Sequence, residues 1–212
     1  MTQVKAPARV VVLISGSGSN LQAIIDQQEA GTINIEICAV ISNKDGVKGL
    51  ARAHNHGIST RILNHKQFDS RESFDKALRE TIDEYTPDLV VLAGFMRILT
   101  PEFTKHYLGR MFNIHPSLLP KYQGLHTHQR AIDAGDKEHG VTVHFVTAEL
   151  DGGPNIIQAR VPVMEGDTAE ELAARVLVQE HKIYPQAVGW FADGRVKMVD
   201  GKALVDGNPV TF

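Results

Sequence analysis

Short runs of β-branched and aliphatic residues recur along the chain, and the longer stretches between them repeat apolar residues every three or four positions. The short runs are typical of buried strands, and the longer stretches are typical of amphipathic helices. Their alternation predicts βαβ units and a largely parallel sheet. In the first half, the predicted strands cover 9–15, 33–42, 59–63, 88–93 and 111–115, and the predicted helices cover 19–30, 47–56, 69–85 and 101–106.

The pattern changes after the fifth predicted strand. Segments 140–147 and 155–163 are predicted strands joined by the turn sequence DGGP, which favours an antiparallel pair. An amphipathic helix is predicted over about 168–190. Small strands then follow, separated by Asp-Gly turns at Asp193 and Asp200.

These elements predict an α/β fold with a mostly parallel twisted sheet and helices on both faces. We expect one domain over 1–212, because no internal repeat or linker interrupts it. Its first half, 1–110, is predicted to be Rossmann-like and to bind phosphate. Its second half, 111–212, adds the antiparallel strands and the candidate catalytic residues.

Composition and charge exclude several classes of protein. The 212 residues include 22 Lys+Arg and 25 Asp+Glu, a formal net charge of −3, so the basic surplus of a dedicated nucleic-acid binder is missing. The longest apolar run, LVVLAGFM, is too short to span a membrane, and the N-terminus has no signal-peptide pattern. Ten histidines occur without a metal-ligand motif, so we expect no metal. The single cysteine, Cys38, cannot form an internal disulfide, which makes a cytoplasmic location the default expectation.

The sequence SGSGSN, at 15–20, lies between a predicted buried strand and a predicted helix. Gly16 and Gly18 allow a tight turn and a close backbone approach, while the free N–H groups of a helix start attract an anion. The dinucleotide fingerprint is excluded because Leu21 stands where its third glycine belongs, and no Gly-Lys-Ser/Thr of a P-loop follows. A single phosphate group fits this loop, and a plain serine-capped turn fits it equally well.

The sequence FNIHPSLLP begins at Phe112 on the fifth predicted strand. Residues two apart on a strand share a face, so Asn113 and His115 are predicted to project together. Parallel sheets bind ligands at the carboxyl ends of their strands. Asn113 can donate to a carbonyl oxygen and His115 can carry a proton. The alternative is that both side chains satisfy loop backbone.

Three further charged residues are candidates. Asp151 ends an apolar strand and precedes two glycines, which leaves its carboxylate accessible; it becomes functional only if it meets His115. Glu180 falls in the apolar stripe of the long helix, so its carboxylate needs donors, which could be ribose hydroxyls or a neighbouring Arg or Lys. Arg71 stands in the first turn of a helix that Asp69 could cap, where a cation is slightly disfavoured unless it serves an anion.

Several motifs occur in one order along nearly the whole chain, namely VVLISGSGSNLQAIID, PDLVVLAGFMRIL, NIHPSLLP, GLHTH, HFVTAELDGGP and QEHKIYP. Together they resemble the folate-dependent formyltransferase family of purine biosynthesis from about Arg9 to Met198. The resemblance implies transfer of a formyl group from 10-formyltetrahydrofolate, as co-substrate, to the amine of 5-phosphoribosylglycinamide, without a metal. The roles it implies are catalysis by Asn113, His115 and Asp151; phosphoribosylglycinamide binding by Gly18, Ser19, Asn20, Leu21, Gln22 and Glu180; and folate binding by Arg71, Met96, Arg97, Ile98, Leu99, Thr147, Ala148, Glu149 and Leu150.

One departure from the family pattern is Gln123, which stands where a proline is expected in KYQG. This change is predicted to loosen a surface loop rather than alter the chemistry. The loop from Leu118 to His128 is itself expected to be mobile without ligand, because glycine-bearing loops beside a site often close over substrate.

Other functions fit parts of the sequence. A formyltetrahydrofolate hydrolase shares the catalytic trio, but such proteins usually carry an N-terminal regulatory domain. A methionyl-tRNA formyltransferase needs a further C-terminal domain and a basic surface for tRNA. A non-catalytic sugar-phosphate or folate-binding module needs the phosphate loop but not the trio. The expected partners are the two small-molecule substrates, without nucleic acid or membrane, for a monomer or a homodimer.

Overall fold

A computed structural model describes residues 2–212 as a mixed α/β fold. The strands are β1 (Ala8–Ile14), β2 (Ile35–Ser42), β3 (Thr60–Ile62), β4 (Leu89–Leu92), β5 (Met111–His115), β6 (Glu138–Phe145), β7 (Asn155–Pro162), β8 (Val196–Val199), β9 (Lys202–Val205) and β10 (Asn208–Pro209). The α-helices are α1 (Ser19–Glu29), α2 (Lys48–Asn55), α3 (Arg71–Asp83), α4 (Pro101–His106), α5 (Thr127–Asp133) and α6 (Ala169–Ala192).

The main sheet has seven strands in the order β3-β2-β1-β4-β5-β6-β7. Strands β1 to β5 run parallel, and β6 and β7 are added antiparallel. A separate antiparallel sheet, β10-β9-β8, follows α6. The predicted fold class is therefore confirmed. Strand order reverses between β1 and β4, so the carboxyl ends of these two strands form the switch point at which open α/β sheets bind ligands.

Apolar residues cover both faces of the main sheet. On one face, β1 and β5 side chains pack with those of α1 and α6, and on the other face a second cluster includes side chains of α3 and α4. The Phe112 ring meets the Phe145 and Phe191 rings edge-on, with centroids 5.2 and 5.5 Å away. Tyr184 on α6 donates its hydroxyl to the Leu92 carbonyl at 2.6 Å, which anchors the long helix across the sheet.

Local polar interactions define where the helices begin. The residue that caps α3 is Ser70 and not Asp69, because the Ser70 side chain accepts from the Ser73 N–H and Ser73 returns the interaction. Thr168 and Glu171 form the same reciprocal arrangement at the start of α6. The expectation that Asp69 caps the helix was wrong by one residue.

A half-buried histidine, His128, and a buried one, His139, lie next to each other. His128 Nδ1 and His139 Nε2 are 3.1 Å apart, and His139 is 1% exposed. Burial, with a smaller contribution from His128, lowers the pKa of His139 to about 4. Burial also lowers the pKa of His128, with a further contribution from His115. Both rings are therefore neutral near pH 7.

Acidification is expected to destabilise the fold through this histidine pair. The unfolded chain binds a proton at His139 near pH 6.5, whereas the folded chain binds it only near pH 4, so the stabilisation is complete above pH 6.5 and is lost as pH falls towards 4. The loss can reach ~3 kcal/mol, since one pKa unit corresponds to about 1.4 kcal/mol. Chemical denaturation between pH 7 and 4.5 measures it.

The matched variants for this measurement are His139→Gln and His54→Gln. The first removes the buried titrating ring, so its stability is expected to depend less on pH than that of the parent protein. His54 is exposed on α2, so its replacement is expected to leave the pH dependence unchanged. Equal slopes for the parent and His139→Gln would show that the pair does not titrate as described.

Candidate active site

Strand β5 delivers two polar side chains to one cavity. Asn113 and His115 both line a space of about 380 Å³ beyond the carboxyl ends of β4 and β5, while Phe112 and Ile114 pack in the core on the opposite face. The alternation expected for an extended strand is therefore observed. Of the described residues, His115 is one of the few buried polar ones, at 7% exposure.

Asp151 approaches the same cavity from the loop between β6 and β7. Its Oδ1 lies 3.6 Å from His115 Nδ1, and its Oδ2 accepts the Gly124 N–H at 2.9 Å. Asp151 has a positive φ of 53°, which aspartate tolerates better than most residues. A Cβ on Gly153 would overlap the Phe145 carbonyl oxygen, so this glycine permits the loop to fold closely against β6. The structure thus brings Asn113, His115 and Asp151 together, which the sequence alone could not establish.

Both ring nitrogens of His115 face acceptors. Nε2 lies 2.8 Å from the Tyr122 carbonyl oxygen, and Nδ1 faces the Asp151 carboxylate. The Tyr122 carbonyl can only accept, so Nε2 carries the hydrogen of that contact. The Asp151 contact is longer than a hydrogen bond, as is common in catalytic pairs before substrate binds.

Gln123 takes part in this arrangement through the loop that follows β5. Its Nε2 donates to the Asp151 carbonyl at 3.2 Å, and its own carbonyl accepts from Arg130 Nη1 at 2.6 Å. The residue that departs from the family pattern therefore contacts the backbone of a candidate catalytic residue. The expected looseness of this loop stays a prediction.

Most of the predicted folate residues line the same cavity. They come from the segment after β4 and from the segment after β6, and they are Met96, Arg97, Ile98, Leu99, Thr147, Ala148, Glu149 and Leu150. Arg71 does not line this cavity; it is exposed at the first position of α3, close enough to influence Asp75 electrostatically. The assignment of Arg71 to the folate site stays a prediction.

His144 lines the cavity and was not predicted. It lies opposite Asn113 in the β5–β6 register and is 2% exposed. Its Nδ1 donates to the Phe145 carbonyl at 2.9 Å, and its Nε2 has no hydrogen-bond partner among residues 2–212. Burial lowers the pKa of His144 and keeps the ring neutral. Its signal in the sequence is a polar residue inside the apolar strand GVTVHFVT.

The SGSGSN loop turns from β1 into α1 at Gly18, whose φ of 70° is left-handed. A Cβ on Gly18 would lie 2.7 Å from Gly49 Cα, so both glycines are needed for α2 to pack against the loop. This packing brings Arg52 to the loop, where its Nε donates to the Ser17 carbonyl at 2.7 Å. Arg52 supplies a positive charge beside the α1 N-terminus that the sequence did not reveal.

Glu180 meets this loop from α6. Asn20 Nδ2 donates to Glu180 Oε1 at 3.1 Å, so the donor within the protein is an amide, whereas the alternative to ribose hydroxyls had been an Arg or Lys. Burial raises the pKa of Glu180, and the hydrogen bond from Asn20 opposes that shift. Asn20 Oδ1 is buried without a partner in the described chain. Leu21 is fully buried in the core and exposes neither its side chain nor its backbone.

A cleft of about 350 Å³ lies on the other side of this loop. It is lined by residues of α1, by Arg52 and by His181, and Ser19 and Gln22 are among the α1 residues. Arg52 Nη1 also donates to Gln22 Oε1 at 3.3 Å. His181 Nε2 is buried and lacks a partner within residues 2–212. Sequence reasoning did not identify His181.

Two features are absent from the described residues, 2–212. No group of three or more His, Cys, Asp or Glu side chains is arranged to hold a metal ion. No helix in that range has the length and hydropathy needed to cross a membrane.

The class of this protein follows from comparison with known proteins. Residues 8–188 match the formyl transferase family model, and the chain belongs to that family. Phosphoribosylglycinamide formyltransferase of Escherichia coli (strain K12) is 59% identical over 198 residues, which are 93% of each chain. The protein of the same name from Haemophilus influenzae is 49% identical over 199 residues, 94% of each chain. A solved structure of phosphoribosylglycinamide formyltransferase from Coxiella burnetii superposes with a TM-score of 0.93 at 53% identity, covering 97% of this chain and 96% of that one.

Proposed function

We propose that this enzyme transfers the formyl group of 10-formyltetrahydrofolate to the amine of 5-phosphoribosylglycinamide, giving the N-formyl product and tetrahydrofolate in purine biosynthesis. The observation that carries the proposal is the meeting of Asn113, His115 and Asp151 in one cavity of a formyl transferase family member. The names of the relatives supply the class of substrate.

The cavity beside the trio suits the folate substrate. Its walls combine apolar side chains, among them Phe95, Ile98 and Val146, with the backbone of two irregular segments. A flat heteroaromatic ring needs apolar contact on its faces and hydrogen-bonding backbone at its edge, and these walls offer both. Met96 and Ile98 are 65% and 52% exposed, so a bound ligand has apolar surface to cover.

The SGSGSN side suits the phosphoribosyl substrate. The free N–H groups of the first turn of α1, together with the Arg52 guanidinium, favour a phosphate. Glu180 stands beside Asn20 and can accept hydrogen bonds from two ribose hydroxyls. We propose that Gly18 to Gln22 form the phosphate side of this site.

The trio supports direct attack by the substrate amine on the formyl carbon. Asn113 donates a hydrogen bond to the oxygen as it gains negative charge, and the protonated His115 ring does so through Nδ1, because Nε2 is held by the Tyr122 carbonyl. Asp151 orients the His115 ring and stabilises the ring when it carries two protons. The amine loses one proton and the departing folate nitrogen gains one, so the transfer is balanced by a relay through this group or a water. No covalent intermediate with the protein is needed.

A formyl-release assay tests the proposal. Purified protein is mixed with 10-formyltetrahydrofolate, with and without 5-phosphoribosylglycinamide; tetrahydrofolate is followed spectroscopically and the product by mass. Release that depends on the glycinamide, with the formyl group on its amine, is expected. Release of formate without the glycinamide would identify a hydrolase, and no release under either condition would favour a binding module.

Glu180→Gln is expected to weaken binding of the phosphoribosyl substrate. Glutamine keeps the size of the side chain but loses one of two acceptor oxygens, and hydrogen bonds to a charged group contribute about 1.5–3 kcal/mol. The KM for 5-phosphoribosylglycinamide should rise roughly 10- to 100-fold while the KM for the folate stays within about twofold, as initial rates would measure. Glu170→Gln, at an exposed position of the same helix, is the matched control and should change neither KM. A larger effect of Glu180→Gln on the folate KM would contradict the assignment.

A further inference from the structure

The segment 94–100 lines the candidate folate cavity but contains no helix or strand. Met96, Arg97, Ile98 and Leu99 all belong to it. Irregular segments are held in shape by side chains outside them, or else they are mobile. Two buried side chains outside the cavity lining hold this segment, one near each end.

Ser15 holds the first end. Its hydroxyl, on a residue 5% exposed, accepts the Met96 N–H at 2.8 Å and donates to Asn43 Oδ1 at 2.5 Å. Asn43 is 1% exposed, and its Nδ2 lies 3.2 Å from His65 Nδ1. These two hydrogen bonds fix the orientation of the Ser15 hydroxyl. The hydroxyl, which follows the end of β1, bridges the loop after β2 and the loop after β4.

Asp75 on α3 holds the second end. Asp75 is 3% exposed. Its Oδ2 accepts the N–H of Thr100, the residue directly before α4, at 2.7 Å. Asp75 Oδ1 has no partner within residues 2–212, and Arg97 Nε is likewise buried and unpartnered there. Burial raises the pKa of Asp75, and the hydrogen bond from Thr100 and the charge of Arg97 oppose that shift. The Arg97 guanidinium lies over the ring of Phe74, the residue before Asp75, at 4.9 Å. Burying a carboxylate is costly, and this one is directed at the backbone of the segment.

We infer that Ser15 and Asp75 are positioning residues that set the shape of segment 94–100 for the folate substrate. This inference rests on the proposed function, because it assumes that the folate occupies the cavity lined by Met96 to Leu99. Neither residue lines the cavity, so both act through the backbone N–H groups of Met96 and Thr100. Ser15 is also the first residue of the SGSGSN loop, whose proposed phosphate contacts begin at Gly18, so the two substrate sites share a support.

Steady-state kinetics of Ser15→Ala and Asp75→Ala in the full chain test this inference. Each variant leaves one backbone N–H of the segment without its acceptor, so the KM for 10-formyltetrahydrofolate should rise about tenfold while that for the phosphoribosyl substrate stays within about twofold. Hydrogen exchange of the Met96 and Thr100 amides should become faster, which reports the segment directly. Asp75→Asn keeps an acceptor for Thr100 and should fall closer to the parent protein than Asp75→Ala, which separates loss of the hydrogen bond from loss of folding.

Thr81→Val is the matched control. Thr81 is buried on α3 like Asp75, and its hydroxyl donates to the Ala77 carbonyl at 2.9 Å, away from the segment. This variant should change neither KM. A general rise of both KM values in Ser15→Ala and Asp75→Asn, matched by Thr81→Val, would reduce the effect to lost stability and overturn the inference.

Ile98→Lys separates this inference from the proposed function. It places a charge in the cavity wall and should raise the folate KM strongly. A raised folate KM in Ile98→Lys with no change in Ser15→Ala and Asp75→Ala would leave the folate site intact and overturn the positioning roles. An unchanged folate KM in Ile98→Lys would show that the folate binds elsewhere. That result would contradict both the proposed folate site and the positioning roles of Ser15 and Asp75.

Discussion

Asp151→Asn is expected to lower kcat by about 10²- to 10⁴-fold, the range over which a positioned acid–base group contributes to catalysis. Asparagine has nearly the same shape, and its amide oxygen can still accept the Gly124 N–H that Asp151 accepts at 2.9 Å. What it lacks is the negative charge 3.6 Å from His115 Nδ1. The ring then loses the group that stabilises its doubly protonated form when the amine gives up its proton. Steady-state turnover at saturating substrates measures the change.

The KM for 5-phosphoribosylglycinamide supplies the internal comparison for Asp151→Asn. Asp151 belongs to the cavity that holds His115, whereas the proposed phosphate loop lies after β1, so this KM should remain within about twofold. Asp69→Asn removes a carboxylate from an exposed position outside the cavity and should leave turnover unchanged. An unchanged kcat in Asp151→Asn would remove Asp151 from the mechanism, whatever the geometry.

The regular elements could be predicted because their signals are local. Every strand and helix predicted in the first 192 residues agrees with the structure to within two residues at each end. Helix α5 was missed because it begins after His126 without a side-chain cap, whereas α4, a shorter helix, begins with the Thr-Pro signal at 100–101. Strand β10 has two residues and produces no pattern either.

In the candidate site, too, the contacts set by local sequence could be predicted and those set by distant parts of the chain could not. Asn113 and His115 share a face because strands alternate, and this could be predicted from five residues. The approach of Asp151 depends on the pairing of β6 and β7 and on a loop that folds against Phe145, which no local pattern specifies. The family resemblance named Asp151, and only the tertiary structure shows its carboxylate beside the ring.

Residues brought by packing between elements escaped prediction. Arg52 reaches the phosphate loop because Gly18 and Gly49 let α2 approach closely. No local sequence pattern predicts this contact. The expected division into a phosphate half and a catalytic half stays a prediction, and side chains cross between the halves as the assigned site residues require. Glu180 of the second half reaches Asn20, and the segment after β4 in the first half lines the cavity of the trio.

Asn113→Ala is expected to lower kcat by about 10²- to 10³-fold, the cost of removing one oxyanion donor. The carbonyl oxygen of the formyl group is a weak acceptor in the ground state and a strong one as the amine attacks, so the amide acts mainly in the transition state. Both KM values should therefore change little, and kcat/KM should fall with kcat. Initial rates over a matrix of the two substrate concentrations give all three quantities.

The double variant Asn113→Ala with His115→Ala tests whether the two donors act on one oxygen. Side chains that serve the same oxyanion act as a unit, so the double variant should lose far less than the product of the two single losses. Asn208→Ala, which removes an amide from exposed β10, is the control and should leave turnover unchanged. Fully multiplicative losses would instead mean that Asn113 and His115 act on different groups, with Asn113 placed against the attacking amine rather than the formyl oxygen.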